Sequence, residues 1–223
     1  MKEQINEKKV TGWSYMELAL TAFGGLGLEV IYAFVIEPFL YGASMQEWVT
    51  WEKILHWTVT CITWGLVAWY IARTAKKRYG FDILEKGKNM RLWQWGLAAF
   101  AVVLSITLNY MDWNGFKIVK EFQNKTLLLF SFQYLYYLVE TVLFMLIIVF
   151  GQKACEVWFK HENIPYGGIV CGLTWGFAHA FTKGNLTLGL MGILWGFMMG
   201  SAYLLTNRDI KKAYIILFLM FAC

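Results

Sequence analysis

Long apolar runs separated by short polar ones dominate the chain, and about 20 consecutive apolar residues make a helix long enough to cross a bilayer. The pattern predicts spans at 14–41, 54–74, 91–111, 126–150, 165–182 and 186–206, with a seventh from 212 to Cys223. The first is long and the fifth short. The seventh can rise only about 18 Å at 1.5 Å per residue, so it either stops halfway across or, as is expected here, is cut before its natural end. No long linker, low-complexity tract or clear internal repeat divides the chain. The expected fold is therefore all-α, a polytopic transmembrane bundle of about seven helices forming one integral membrane domain over 1–223.

Composition agrees with that solvent. Of 223 residues, 58% are hydrophobic and 16% charged, too few charges to coat a water-soluble globule of this size. Basic residues are held on the cytoplasmic side during insertion, and they alternate here. Lys2, Lys8 and Lys9 precede the first span; Arg73, Lys76, Lys77, Arg78, Lys86, Lys88 and Arg91 follow the second; Lys153 and Lys160 follow the fourth; Arg208, Lys211 and Lys212 follow the sixth. Only Lys53, Lys117, Lys120, Lys125 and Lys183 fall on the other side. This places the N-terminus in the cytoplasm. Trp48, Trp51 and Trp113 on the outer side and Trp93, Trp95 and Trp158 on the inner sit where interfacial aromatic belts belong. The net charge of +5 forms no basic groove with exposed aromatics, so no nucleic-acid partner is expected. Cys61, Cys155, Cys171 and Cys223 lack CxxC spacing and read as apolar packing residues. The polar first ten residues and the interrupted apolar stretch after them do not form a secretory signal.

Ionisable groups inside spans are costly and mark candidate function. Five stand out: Glu29, Glu37, His56, Glu140 and His179. Counting residues from the outer span ends puts Glu29 and Glu140 about 20 Å deep, and Glu37, His56 and His179 under about 8 Å deep. Two carboxylates at one level could share a proton, one serving as a base; alternatively each is protonated and hydrogen-bonded to a neighbouring helix. Gln133, Tyr136 and Tyr137 precede Glu140 by seven, four and three residues, on its helix face, where they could orient it or bind a peptide carbonyl. Glu37 precedes Pro38 near an interface that water can reach. His56, His179 and Glu37 carry zinc-type donor atoms but show no HExxH-like spacing, and no metal is expected. Gly192, Gly196 and Gly200 recur every four residues, and Gly172 and Gly176 give the fifth span a matching groove, a pattern for close helix contact.

Between Tyr137 and Tyr203 the chain resembles the CAAX-protease and bacteriocin-processing (Abi) family of intramembrane proteases. That family shows Glu-Glu-x-x-x-Arg in one span, Phe-x-x-x-His some way on, a Gly-rich helix, and a final His-x-x-x-Asn or Asp. Val139-Glu140-Thr141-Val142-Leu143-Phe144 stands at the first motif, keeping the second Glu; Trp175-Gly176-Phe177-Ala178-His179 resembles the second, with Trp for Phe. The stretch Ile216 to Ala222 holds neither His nor Asn. The resemblance implies Glu140 as the base that activates water and His179 as the electrophile on the scissile carbonyl, with Glu29, Tyr136, Tyr137, Glu37 and His56 in support and no cofactor. Straight helices would leave Glu140 and His179 roughly 12 Å apart along the membrane normal, a gap that a recessed fifth helix would remove.

Three functions follow as expectations. The first is hydrolysis of a membrane-proximal peptide bond in a bacterial plasma membrane. The second is a catalytically inactive member of that fold, binding a peptide or membrane protein as an immunity, scaffold or regulatory subunit. The third, ranked last, is proton or solute transport using Glu29 and Glu140 as a relay.

Overall fold

The computed structural model describes residues 10–223, so Lys2, Lys8 and Lys9 lie outside the described residues. Every regular element among the described residues is helical. In chain order they are α1 (Gly12–Tyr41), α2 (Thr50–Tyr79), α3 (Leu92–Trp113), α4 (Lys117–Gln123), α5 (Leu127–Phe159), α6 (166–182), α7 (Leu186–Leu205) and α8 (Ile210–Ala222). Five of them, α1, α2, α3, α5 and α7, are long and apolar enough to cross a membrane. Outward-facing Phe34, Phe39, Leu66, Trp69 and Phe100 are all more than half exposed, which suits contact with lipid.

A helix lies at each of the seven expected positions, but only five are long and apolar enough to be spans; α2 and α5 run past their expected bounds, and one further helix appears among the described residues. Helix α5 runs nine residues past the expected end at 150, because Gly151, Gln152, Ala154 and Cys155 remain buried there although hydropathy falls. Residues 117–123, expected to lie in a loop, form α4, a helix too short to be seen in span-length patterning.

Helix α5 is the central post. Its residues Leu143 to Phe150 are all buried, eight in succession, which is possible only for a helix covered on every side. Helices α1, α2, α6 and α8 pack around it. Helices α6 and α7 meet through a glycine ladder. A Cβ on Gly200 would collide with Gly168, one on Gly196 with Gly172, and one on Gly192 with the carbonyl of Gly176. Such close backbone approach substitutes dispersion contact for the hydrophobic drive that helices lack in lipid.

Helix α1 runs antiparallel to α2 and to α5, with Gly25 beside Trp64 and Glu37 beside His56, Gly12 beside Trp158 and Glu29 beside Tyr136, which gives the bundle two ends. At the end bearing the 80–91 and 206–209 turns, the Gln94 amide donates to Leu205 O at 2.9 Å, Asn207 donates to Asn89 O at 3.1 Å, and Arg208 pairs with Glu156 at 2.7 Å. Asn207 and Arg208 both hold left-handed backbone conformations, φ 54° and 64°, which these side-chain bonds stabilise. Asp209 then caps α8, accepting from the Lys211 and Lys212 backbone N–H groups and from the Lys212 ammonium at 3.0 Å. Burial pushes the Asp209 carboxyl up, but Lys212 and the two N–H groups outweigh it and hold it below the usual carboxylate range. Its contribution is therefore fully present above the unfolded carboxylate pKa of about 3.9 and lost as pH falls through the lower folded value. We expect Asp209→Ala to cost about 1 kcal/mol at neutral pH, a difference from the parent that shrinks below about pH 4. Thermal unfolding in detergent at both pH values checks it; a pH-independent difference would remove the charge from the account.

Candidate functional site

The polar side chains cluster in the opposite half of the bundle, toward the 42–49 and 183–185 turns. Glu140 is buried on α5 at 8% exposure. Its Oε1 accepts the Trp175 indole N–H from α6 at 3.1 Å, while Oε2 has no hydrogen-bond partner among the described residues. Trp175 is buried against Phe144 and Phe221, and the His179 ring lies edge-on to it at 4.9 Å between centroids. One tryptophan thus touches both Glu140 and His179, which make no hydrogen bond or ion pair with each other among the described residues. A π-turn, Gly172–Gly176, lies at this point of α6, and such turns re-aim side chains at functional positions.

His179 is half-buried, and its Nδ1 lies 2.9 Å from the carbonyl oxygen of Trp175, one turn earlier. A carbonyl only accepts, so Nδ1 carries the proton, and in the neutral ring Nε2 is an acceptor. His179 can donate from Nε2 only as the imidazolium.

Glu37, His56 and Glu29 form a second group. His56 Nδ1 and Glu37 Oε2 are 2.7 Å apart, and His56 Nε2 faces Glu29 Oε1 at 3.5 Å. Glu37 is 5% exposed and His56 1%. This corrects the expectation of a hydrated, interfacial Glu37: it is a buried, paired carboxylate. Trp48, expected in an interfacial belt, is instead 3% exposed and lies 5.3 Å from the His56 ring, closing it off. The split into a deep acidic pair and a shallow histidine set also gives way, because Glu29 reaches the shallow set through His56. Glu29 and Glu140 do not share a hydrogen bond; Tyr136 donates to Glu29 at 2.7 Å while Trp175 serves Glu140.

Gln133 and Tyr137 do not orient Glu140. Both donate to Glu121 Oε1 at 2.8 Å, and Tyr134 donates to its Oε2 at 3.1 Å. Lys125 also reaches Gln133. Glu121, on α4 and 2% exposed, was absent from the sequence-based candidates; the signal was a lone acid between Val119 and Phe122 in a short amphipathic segment. Beside it the Lys117 ammonium donates to Phe221 O at 2.8 Å and lies over the Tyr137 and Phe221 rings. This group anchors α4 to α5 and α8.

Among the described residues no group of three or more His, Cys, Asp or Glu side chains could hold a metal ion; Nδ1 of His56 is already engaged by Glu37. The Trp175–Glu140 bond is open to a double-mutant cycle with Trp175→Phe and Glu140→Leu, each of which removes one partner of the bond. Unfolding in micelles should give a coupling of about 0.5–1.5 kcal/mol, whereas additive effects would mean the contact is not made. No protein-family model, curated protein or solved structure matches the chain.

Proposed function

We propose that the chain is an intramembrane peptidase-like protein of the CAAX-processing type, set in a bacterial plasma membrane with its N-terminus in the cytoplasm, and that it hydrolyses a membrane-proximal peptide bond. The observation that supports this best is Trp175, which donates to Glu140 and packs against His179, so that the two residues retained from the family motifs meet at one side chain. The unpartnered Oε2 of Glu140 is the position for a water molecule. Glu140 takes a proton from that water as its oxygen adds to the peptide carbonyl carbon. His179, as the imidazolium, donates from Nε2 to the developing oxyanion. Collapse of the tetrahedral intermediate expels the amine, which takes its proton from Glu140.

One observation favours a second reading. Phe221 of α8 packs against Trp175, with ring centroids 5.7 Å apart, in the stretch where the resemblance would put a second histidine. On this reading the same fold binds a peptide or membrane protein without cleaving it. Purified protein in liposomes, offered membrane-anchored peptides and followed by mass spectrometry, separates the two. Cleavage by the parent chain but not by Glu140→Gln supports the peptidase; binding by both with cleavage by neither overturns it in favour of the second reading.

A further inference from the structure

We propose that Glu37, His56 and Glu29 form a proton relay running from the Gly42 end of the bundle to the interior beside Tyr136 and Glu140. Hydrolysis of a peptide is not required for it: the relay moves a proton whether or not Glu140 is a catalytic base.

Geometry carries the proposal. His56 is fully buried with a carboxylate at each ring nitrogen, 2.7 Å from Nδ1 and 3.5 Å from Nε2. Nε2 is a buried polar atom with no well-aligned hydrogen-bond partner, so a structural role for the ring leaves half of it unexplained. The helix is also distorted in a way that makes this arrangement. Glu29 and Glu37 are eight residues apart, which in a regular helix would rotate them about 80° from one another. The π-turn Tyr32–Ile36 lies between them, and its one extra residue reduces the offset to about 20°. Both carboxylates then face α2 and bracket one imidazole. They are the charged groups that face the ring. Trp48 from the 42–49 turn covers it, and from α5 the Tyr136 hydroxyl donates to the same Glu29 oxygen that faces Nε2.

A surface recess of about 410 Å³ lies beside the last turn of α1, lined by Ala33, Pro38, Gly42, Ser44 and Glu47 among others, room for several waters at roughly 30 Å³ each. Glu37 does not line it, but the recess reaches Pro38, the next residue, and so comes close to the start of the relay. The far end is set by Tyr136, one turn before Glu140 on α5, so Glu29 faces the same side of that helix as Glu140.

The transfer balances. Protonated Glu37 gives its proton to Nδ1 as the Nε2 proton passes to the Glu29 carboxylate. Glu37 ends ionised, Glu29 ends neutral, and the ring exchanges one neutral tautomer for the other. Release from Glu29 by the reverse path restores the first tautomer. No oxidant, reductant or other reactant is needed.

The test follows Glu29 itself. In the full chain in detergent micelles, time-resolved infrared difference spectra after rapid acidification report its protonated carboxyl band, identified by disappearance in Glu29→Gln. Glu37→Gln keeps a hydrogen bond to His56 but cannot pass on a proton, and it should slow the rise of that band by about tenfold or more. His56→Gln should do the same. Thermal unfolding verifies that each variant is folded; if His56→Gln is not, Glu37→Gln decides alone. Protonation of Glu29 at the parent rate in folded Glu37→Gln, or no Glu29 band at any pH, overturns the relay.

Discussion

Glu140→Gln is expected to abolish peptide hydrolysis, by a factor of about 10²–10⁴ or more, and to leave the bundle folded. The amide is nearly isosteric with the carboxylate and its oxygen can still accept the Trp175 indole N–H now held at 3.1 Å. What it loses is the ability to take a proton from water. Hydrogen bonds inside membrane proteins average only about 0.6 kcal/mol, so a shift in stability beyond about 1 kcal/mol would point to a structural role for the charge. Cleavage assays in liposomes and thermal unfolding in micelles, made on the same preparation, read the two effects separately. A stable variant with undiminished cleavage would exclude Glu140 as the base.

The largest structural effect should come from Gly196→Leu. A Cβ there meets the backbone N and Cα of Gly172, which cannot rotate away as a side chain could, so α7 must move off α6. Overpacking of this kind costs about 3 kcal/mol or more when backbone has to shift. It also reaches the site, because Gly172 opens the π-turn that carries Trp175. Gly65→Ala and Gly96→Ala serve as controls: nothing lies within 4 Å of either new Cβ, and replacing glycine inside a helix should stabilise by up to about 1 kcal/mol. Unfolding temperatures in one detergent compare all three. A Gly196→Leu protein as stable as the parent would mean that the glycine ladder does not hold these helices together.

Helices were legible in the sequence because span length and apolar runs are local properties. So was the glycine ladder, since a repeat of four marks one helix face whatever it touches, and its partner face at Gly172 and Gly176 was visible for the same reason. The candidate ionisable residues were found by their cost in an apolar span. Their partners were not. Glu37 and His56 lie on different helices, 19 residues apart, and whether they face each other depends on a π-turn that no hydropathy pattern encodes. Tyr136 and Tyr137 are neighbours in sequence, yet one serves Glu29 and the other Glu121, because adjacent helical residues point about 100° apart. Trp175 was read as a stand-in for a family phenylalanine; its indole N–H, the atom that reaches Glu140, is what phenylalanine lacks. Glu121 was hidden by counting 112–125 as a loop, where an acid among lysines looks solvated.

If Glu140 delivers a water oxygen to a peptide carbonyl, as proposed, the most direct measurement follows that oxygen. Purified protein in liposomes would be incubated with a membrane-anchored peptide in water enriched in oxygen-18, and the new C-terminus examined by mass spectrometry. The expected result is one heavy oxygen in the new carboxyl group with the parent chain and no product with Glu140→Gln. Label appearing equally with both proteins, or a parent chain that binds the peptide and returns it uncut, would contradict the account.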